Sequence, residues 1–255
     1  MDLGLEGRRV LVTGGSKGLG YAIARELVRE GARVSICSRD ETEVLTAGQE
    51  LGVALARRAD VTDPEQVADF VAESAGALGG IDGLVNNAGR ARPGTFSTLT
   101  DVDWQGDLDV KLLSLIRCSR EVLPYMREAG SGRIVNIGAI QGRGPDPAFF
   151  ATSVNRAAGN AFTKALAMEL AKDNILVNGV NIGYVVTPQW ENIHKKRAPE
   201  LSRDDFFARL SQDVPLGRFG DPDEVAGIVA FLLGDRATYI TGASIDVAGG
   251  MGRYL

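Results

Sequence analysis

The stretch RRVLVTGGSKGLG, residues 8–20, decides how this chain is read. Val10, Leu11 and Val12 make a short apolar run suited to one buried strand. A glycine-rich turn follows, and residues 18–30 then carry a helical pattern. Gly14 permits a tight turn, Gly18 lets the backbone approach a pyrophosphate, and Gly20 lets the helix pack close to the strand. The first turn of a helix holds free N–H donors and the positive end of the helix dipole. A strand, glycine turn and helix in that order therefore predict a dinucleotide cradle.

The alternation continues outward from that unit. RVSIC (33–37), VALARRAD (53–60), DGLVNNAG (82–89), GRIVNIGA (132–139), ILVNGVN (175–181) and SIDVA (244–248) read as further strands. Helices are predicted around 41–51, 64–77, 104–128, 150–172 and 222–234, the third with Leu108, Leu112, Leu115 and Ile116 on one face. Strands rich in Val, Ile and Leu joined by helices imply a parallel sheet covered on both faces. The expected architecture is one doubly wound, Rossmann-type α/β domain over residues 1–255. Residues 187–215 interrupt the alternation with Trp190, Phe206 and Phe207 among many charges. They follow the sixth strand's C-terminal end, where ligands bind in such folds, and read as a substrate lid.

Composition narrows the function. A net charge of −5 argues against nucleic acid or an anionic membrane as partner. The basic run Lys195-Lys196-Arg197 reads as a solvated helix face. Cys37 and Cys118 fall in apolar patterns and read as small core residues. His194 stands among charges with no ligand cluster near it, so no metal site is expected. No segment reaches the ~18 apolar residues of a membrane span, and the opening residues have no signal-like pattern. A cytoplasmic location is the expectation.

Three spaced motifs carry a family resemblance. TGGSKGLG (13–20) is similar to the TGxxxGxG signature of the classical short-chain dehydrogenase/reductases. NNAG (86–89) matches that family's next motif, and PLGRFGDPDEVAGIVAFLLGDRATYITGASIDVAGG (215–250) resembles its C-terminal segment. The resemblance spans nearly the whole chain and implies NAD(P) binding and a homo-oligomer, a tetramer or dimer. It places Gly14, Ser16, Lys17, Gly18, Leu19 and Gly20 on the phosphates, and Asp60 and Val61 on the adenine. Asn87, Ala88 and Gly89 would follow the cofactor's ribose, and Gly183, Val185 and Thr187 would flank the nicotinamide. At the end of the second strand, Arg39 together with Lys17 suits a 2′-phosphate, hence NADP(H). The alternative is NAD, with Asp40 on the ribose hydroxyls.

The same resemblance exposes four substitutions. In the family a Tyr is general acid, a Lys four residues later lowers its pKa and holds the ribose, a Ser orients the carbonyl, and an Asn completes a proton relay. Aligned on those motifs, the positions hold Thr152, Arg156, Ala139 and Lys111 here. A threonine hydroxyl is far too weak an acid to replace a phenol of pKa ~10. Arginine can hold a ribose but does not pass a proton at neutral pH.

Three readings stay open. One is an oxidoreductase with a re-sited acid: Lys111, its pKa lowered by desolvation and by Arg156, or Tyr184, with Gln141 binding a substrate oxygen. Another is a non-redox isomerase, lyase or cyclase, in which the two cations favour an anionic substrate or enolate. The last is a non-catalytic cofactor-binding protein. The loop QGRGPDPAFF (141–150) and the lid suggest a partly aromatic pocket for a small-molecule substrate.

Overall fold

The computed structural model describes residues 2–252. The chain opens with β1 (Arg9–Thr13), α1 (Gly18–Arg29), β2 (Arg33–Ser38), α2 (Glu41–Leu51), β3 (Leu55–Arg58), α3 (Pro64–Leu78) and β4 (Gly83–Asn86). Next come α4 (Asp101–Leu108), a π-helical turn at Asp109–Leu113, α5 (Ser114–Glu128), β5 (Gly132–Ala139), α6 (Phe150–Leu170) and β6 (Ile175–Ile182). Residues 187–215 hold α7 (Pro188–Arg197) and α8 (Arg203–Ser211), before α9 (Pro222–Leu233) and β7 (Ser244–Val247).

The seven strands form one parallel sheet in the order β3-β2-β1-β4-β5-β6-β7. Chain order reverses direction between β1 and β4, and a crevice opens there beyond the C-terminal strand ends. Each face of the sheet has its own apolar core. One is built around Ile23, Leu27, Val44 and Val229, the other around Phe70, Leu78, Val122 and Met126. The cysteines behave as core residues: both are free and buried, and burial pushes the Cys37 thiol up to about 12 and Cys118 further.

Local chemistry sets the helix ends. Asp63 caps α3 by accepting from Glu65 N and Gln66 N, Pro64 fills the first helical position, and Gly79 at φ +80° closes it. Asp221 and Glu224 form a reciprocal capping box on α9.

The long helix departs from the expected face. Leu115 is buried, but Leu108, Leu112 and Ile116 are only half-buried. The buried stripe instead carries Asp107, Val110, Lys111, Ser114, Leu115 and Cys118. α6 packs on this stripe, where Asp107 and Lys111 pair with each other and Asn155 of α6 donates to Asp107. It packs here against α4 and the π-helical turn. The π turn is marked by Ser114 N donating to Asp109 O, five residues back. It was not expected, and it contains Lys111.

Candidate active site

A cleft of about 660 Å³ runs along the C-terminal edge of the sheet, within the usual range for ligand pockets. Every residue named above for the cofactor or for catalysis lines it.

Its first part is the glycine turn. Gly14 and Gly18 adopt φ +67° and +57°, a region that only glycine enters freely. A Cβ on Gly20 would lie 2.1 Å from Gly14 O, so no larger residue fits there without moving the turn. Lys17 precedes α1 in extended backbone and its side chain does not cap the helix, whose first turn holds no acidic residue. The leading N–H groups and dipole of α1 thus face the cleft without an internal anion. That glycine-lined cradle fits a pyrophosphate. Asn87 supports it from below. Its Nδ2 donates to Thr13 O at 2.9 Å and Gly14 O at 3.1 Å, while Thr13 Oγ1 accepts from Asn87 N and Ala88 N. The Asn87 side chain therefore holds the turn while the residue lines the cleft.

At the β2 end, Arg39 is exposed and its guanidinium has no partner among the described residues. Asp40 is engaged: its Oδ1 accepts from Glu43 N at 2.9 Å as the cap of α2. Lys17 departs from expectation, because it pairs with Glu43 at 2.7 Å. The pair of free cations predicted for a 2′-phosphate is thus one free cation and one exposed, weakly held pair. Asp60 accepts from Thr62 N and Oγ1 at 2.9 and 2.8 Å, which orients it at the cleft wall.

The far end holds Lys111, Arg156, Thr152, Gln141 and Ala139. Lys111 is 1% exposed and ion-pairs with Asp107, itself 1% exposed, one helical turn earlier. The other Asp107 oxygen accepts from Asn155 Nδ2 at 3.0 Å. Burial lowers the Lys111 ammonium to about 8, and Arg156 adds to this, while Asp107 acts to raise it and Arg90 lowers it slightly. Arg156 Nη1 donates to Ile137 O at 2.6 Å, and its buried Nε has no partner. Burial, opposed by Asp107, brings Arg156 to about 10, so it stays charged at neutral pH. Gly142 packs against the Arg156 backbone, where a Cβ would meet Arg156 C at 2.7 Å, which fixes the arginine against the turn at Ile140–Gly142. Thr152 Oγ1 is buried without a partner. Gln141 lies in that turn and lines the cleft, as does Ala139 at the end of β5.

Tyr184 is packed under the lid. Its ring stacks on Phe219 at 5.2 Å and meets Trp190 edge-on at 4.8 Å. Burial, with Asp213 and Asp146 nearby, raises its pKa, which makes it a poorer acid. Phe149, Tyr184 and Trp190 supply the aromatic wall of the cleft, but Phe206 and Phe207 are buried in a cluster with Phe219 behind it, and Phe150 packs tilted against Phe96 and edge-on against Trp104 instead. His194 bonds Leu201 O and stacks against Phe206. No cluster of metal-ligating side chains occurs among the described residues. Among the described residues no helix is long and apolar enough to cross a membrane.

The residues that sequence reasoning missed are Asp107 and Asn155. The first had a readable signal: an acid four residues before a lysine on one helix is a pairing spacing.

Comparison with known proteins agrees with this fold. The family described as enoyl-(acyl carrier protein) reductase matches residues 14–252. The 3-oxoacyl-[acyl-carrier-protein] reductase of Vibrio cholerae is 35% identical over 258 residues, covering 98% of this chain and 99% of that protein. L-Sorbose reductase from Gluconobacter frateurii, solved with NADPH and L-sorbose, superposes with a TM-score of 0.94 at 33% identity, covering all of both chains. A short-chain oxidoreductase from Pseudomonas aeruginosa PAO1, described as containing an atypical catalytic center, gives a TM-score of 0.92 at 35% identity, covering 99% of this chain and 100% of that one.

Proposed function

The chain belongs to the classical short-chain dehydrogenase/reductase family, and from that premise we propose that it is an NADP(H)-dependent carbonyl reductase whose acid is a lysine. The observation that carries this reading is the buried Lys111, set against the cleft beside Arg156. NADP(H) is supported by the unpartnered Arg39, by Asp40's use as a helix cap, and by the NADPH held in the sorbose reductase relative. The Pseudomonas relative supports the idea that an altered site is compatible with the fold's oxidoreductase role.

In this reading, the reduced nicotinamide supplies a hydride when bound. Arg156 holds the nicotinamide ribose through its free guanidinium edge. Lys111 gives its proton to the substrate oxygen as negative charge develops there, and recovers one from solvent. Gln141 and Thr152 donate hydrogen bonds to the same oxygen. Ala139 contributes only space, and Tyr184 shapes the wall. The lining carboxylates Asp40, Glu43 and Asp60 all belong to the β2–β3 end, while Arg90, Lys111 and Arg156 stand at the reaction end. That separation supports an anionic substrate. The segment 187–215 would close over it as a lid. The assembly proposed with it is a homo-oligomer, dimer or tetramer, and the location proposed is the cytoplasm.

The test is titration with NADPH and NADH, then a carbonyl screen that follows NADPH loss. Oxo acids, 3-oxoacyl thioesters and ketoses should be included. NADPH should bind more tightly than NADH, and turnover should fall as pH rises through about 8, because the donor is the ammonium form. Absence of binding by either dinucleotide would sink the cofactor claim. Tight binding without turnover on any carbonyl class would transfer the site to a non-redox or purely binding role.

A further inference from the structure

We propose that Asp107, held by Asn155, is the positioning residue that keeps Lys111 charged and aimed at the cleft; its catalytic meaning rests on the function proposed above. The geometry carries the inference. Asp107, Lys111 and Asn155 are each at most 3% exposed. One carboxylate oxygen takes the Lys111 ammonium, and the other takes Asn155 Nδ2 at 3.0 Å. The carboxylate is thus clamped between two helices: α4 supplies it and α6 fixes its angle.

The charge balance shows what this clamp does. The charged groups acting on Lys111 are Asp107 on its own helix, Arg156 on α6 and Arg90 on the loop after β4. Both arginines oppose a charged lysine, and so does burial. Asp107 alone favours it. Without that carboxylate, a buried amine beside two guanidinium groups would lose its proton before reaching neutral pH. It could then accept a hydrogen bond, but it could not act as an acid. Asp107 also favours the charged form of Arg156. A single buried carboxylate thus serves both cations of the site. No proton needs to reach Asp107 for this role.

The experiment compares wild type with Asp107→Asn and Asp107→Glu. Lys111 is titrated in the cofactor-free protein by NMR of ¹³Cε-labelled lysine, its signal assigned by its loss in Lys111→Met/Asp107→Asn. Asp107→Asn keeps the shape and the bond to Asn155 but removes the charge, and should move the Lys111 midpoint down by roughly 1–3 pH units. Asp107→Glu restores the charge and should return the midpoint most of the way. A midpoint unmoved by Asp107→Asn overturns the proposal. The same variants are then assayed for turnover against pH. A high-pH limb that shifts down with the NMR midpoint, and is rescued by Asp107→Glu, supports the positioning role. A uniform loss of turnover with an unmoved limb and an unmoved midpoint means that Asp107 is only a packing residue. If the midpoint shifts while the limb stays, Asp107 charges Lys111 as proposed, and it is the proton-donor assignment of Lys111 that fails.

Discussion

A lysine that is 1% exposed has lost nearly all of its hydration, and a buried ion left without its partner is costly. Removing one member of a buried pair typically costs about 3–5 kcal/mol, whereas replacing both can be nearly neutral. Lys111→Met alone therefore confuses catalysis with stability, because it strands the Asp107 carboxylate. We expect urea denaturation to show a loss of about 3–5 kcal/mol for that variant, and recovery of most of it in Asp107→Asn/Lys111→Met. Equal losses in both would mean that the pair is not coupled. The pair also has a pH signature. The folded-state lysine titrates near 8 and the unfolded one near its usual 10.5. Between those values the unfolded chain binds more protons, so this group makes stability rise with pH across that window. The wild type should show a rise there that the double variant lacks. The buried thiols of Cys37 and Cys118 act in the opposite direction, but they are present in both proteins, so the difference isolates Lys111.

At the scale of elements, the glycine turn and α1 decide whether a dinucleotide is held. Gly20 lies inside the first turn of α1, and its missing side chain lets the helix rest against Gly14 O. Gly20→Ala forces that carbonyl away and disturbs the Asn87 bonds beneath it. We expect NADPH affinity to fall at least about tenfold, or 1.4 kcal/mol, in fluorescence titration, with the circular dichroism of the sheet and helices preserved. Unchanged affinity would remove the turn from the binding site. These elements were legible from sequence because their chemistry is local: apolar runs, glycine at fixed offsets, an aspartate before a helix. The predicted α2 boundaries, 41–51, match the observed Glu41–Leu51. The long helix was less legible. Its buried face is set by what α6 brings to it, and a pattern that counts charges as exposed cannot see that Asp107 and Lys111 neutralise each other. The Lys17–Glu43 pair was invisible for the same reason: Glu43 lies on another element.

At the scale of the whole molecule, the cofactor and the fold are coupled by mass action. The cleft draws on β2, β5, β6, α1, α2, the π-helical turn, α6, the 187–215 segment and the loops that follow β1 and β4, so a ligand bound there is available only to the folded chain. At 100 times its Kd, such a ligand adds about 2.7 kcal/mol to stability. For a chain of this size each kcal/mol moves Tm by roughly 2–4 °C, so NADPH should raise Tm by about 5–10 °C. NADH at the same concentration should raise it by much less, because the one group that separates the two cofactors is the 2′-phosphate and the free cation near it is Arg39. Arg39→Ala should therefore narrow the gap mainly by weakening NADPH. The Lys17–Glu43 pair offers a second cation, but it must first leave an exposed partner. Glu43→Gln should release Lys17 and widen the gap between the two dinucleotides. Equal Tm shifts for NADPH and NADH in the wild type, or a gap indifferent to Arg39, would show that selectivity does not reside at the end of β2.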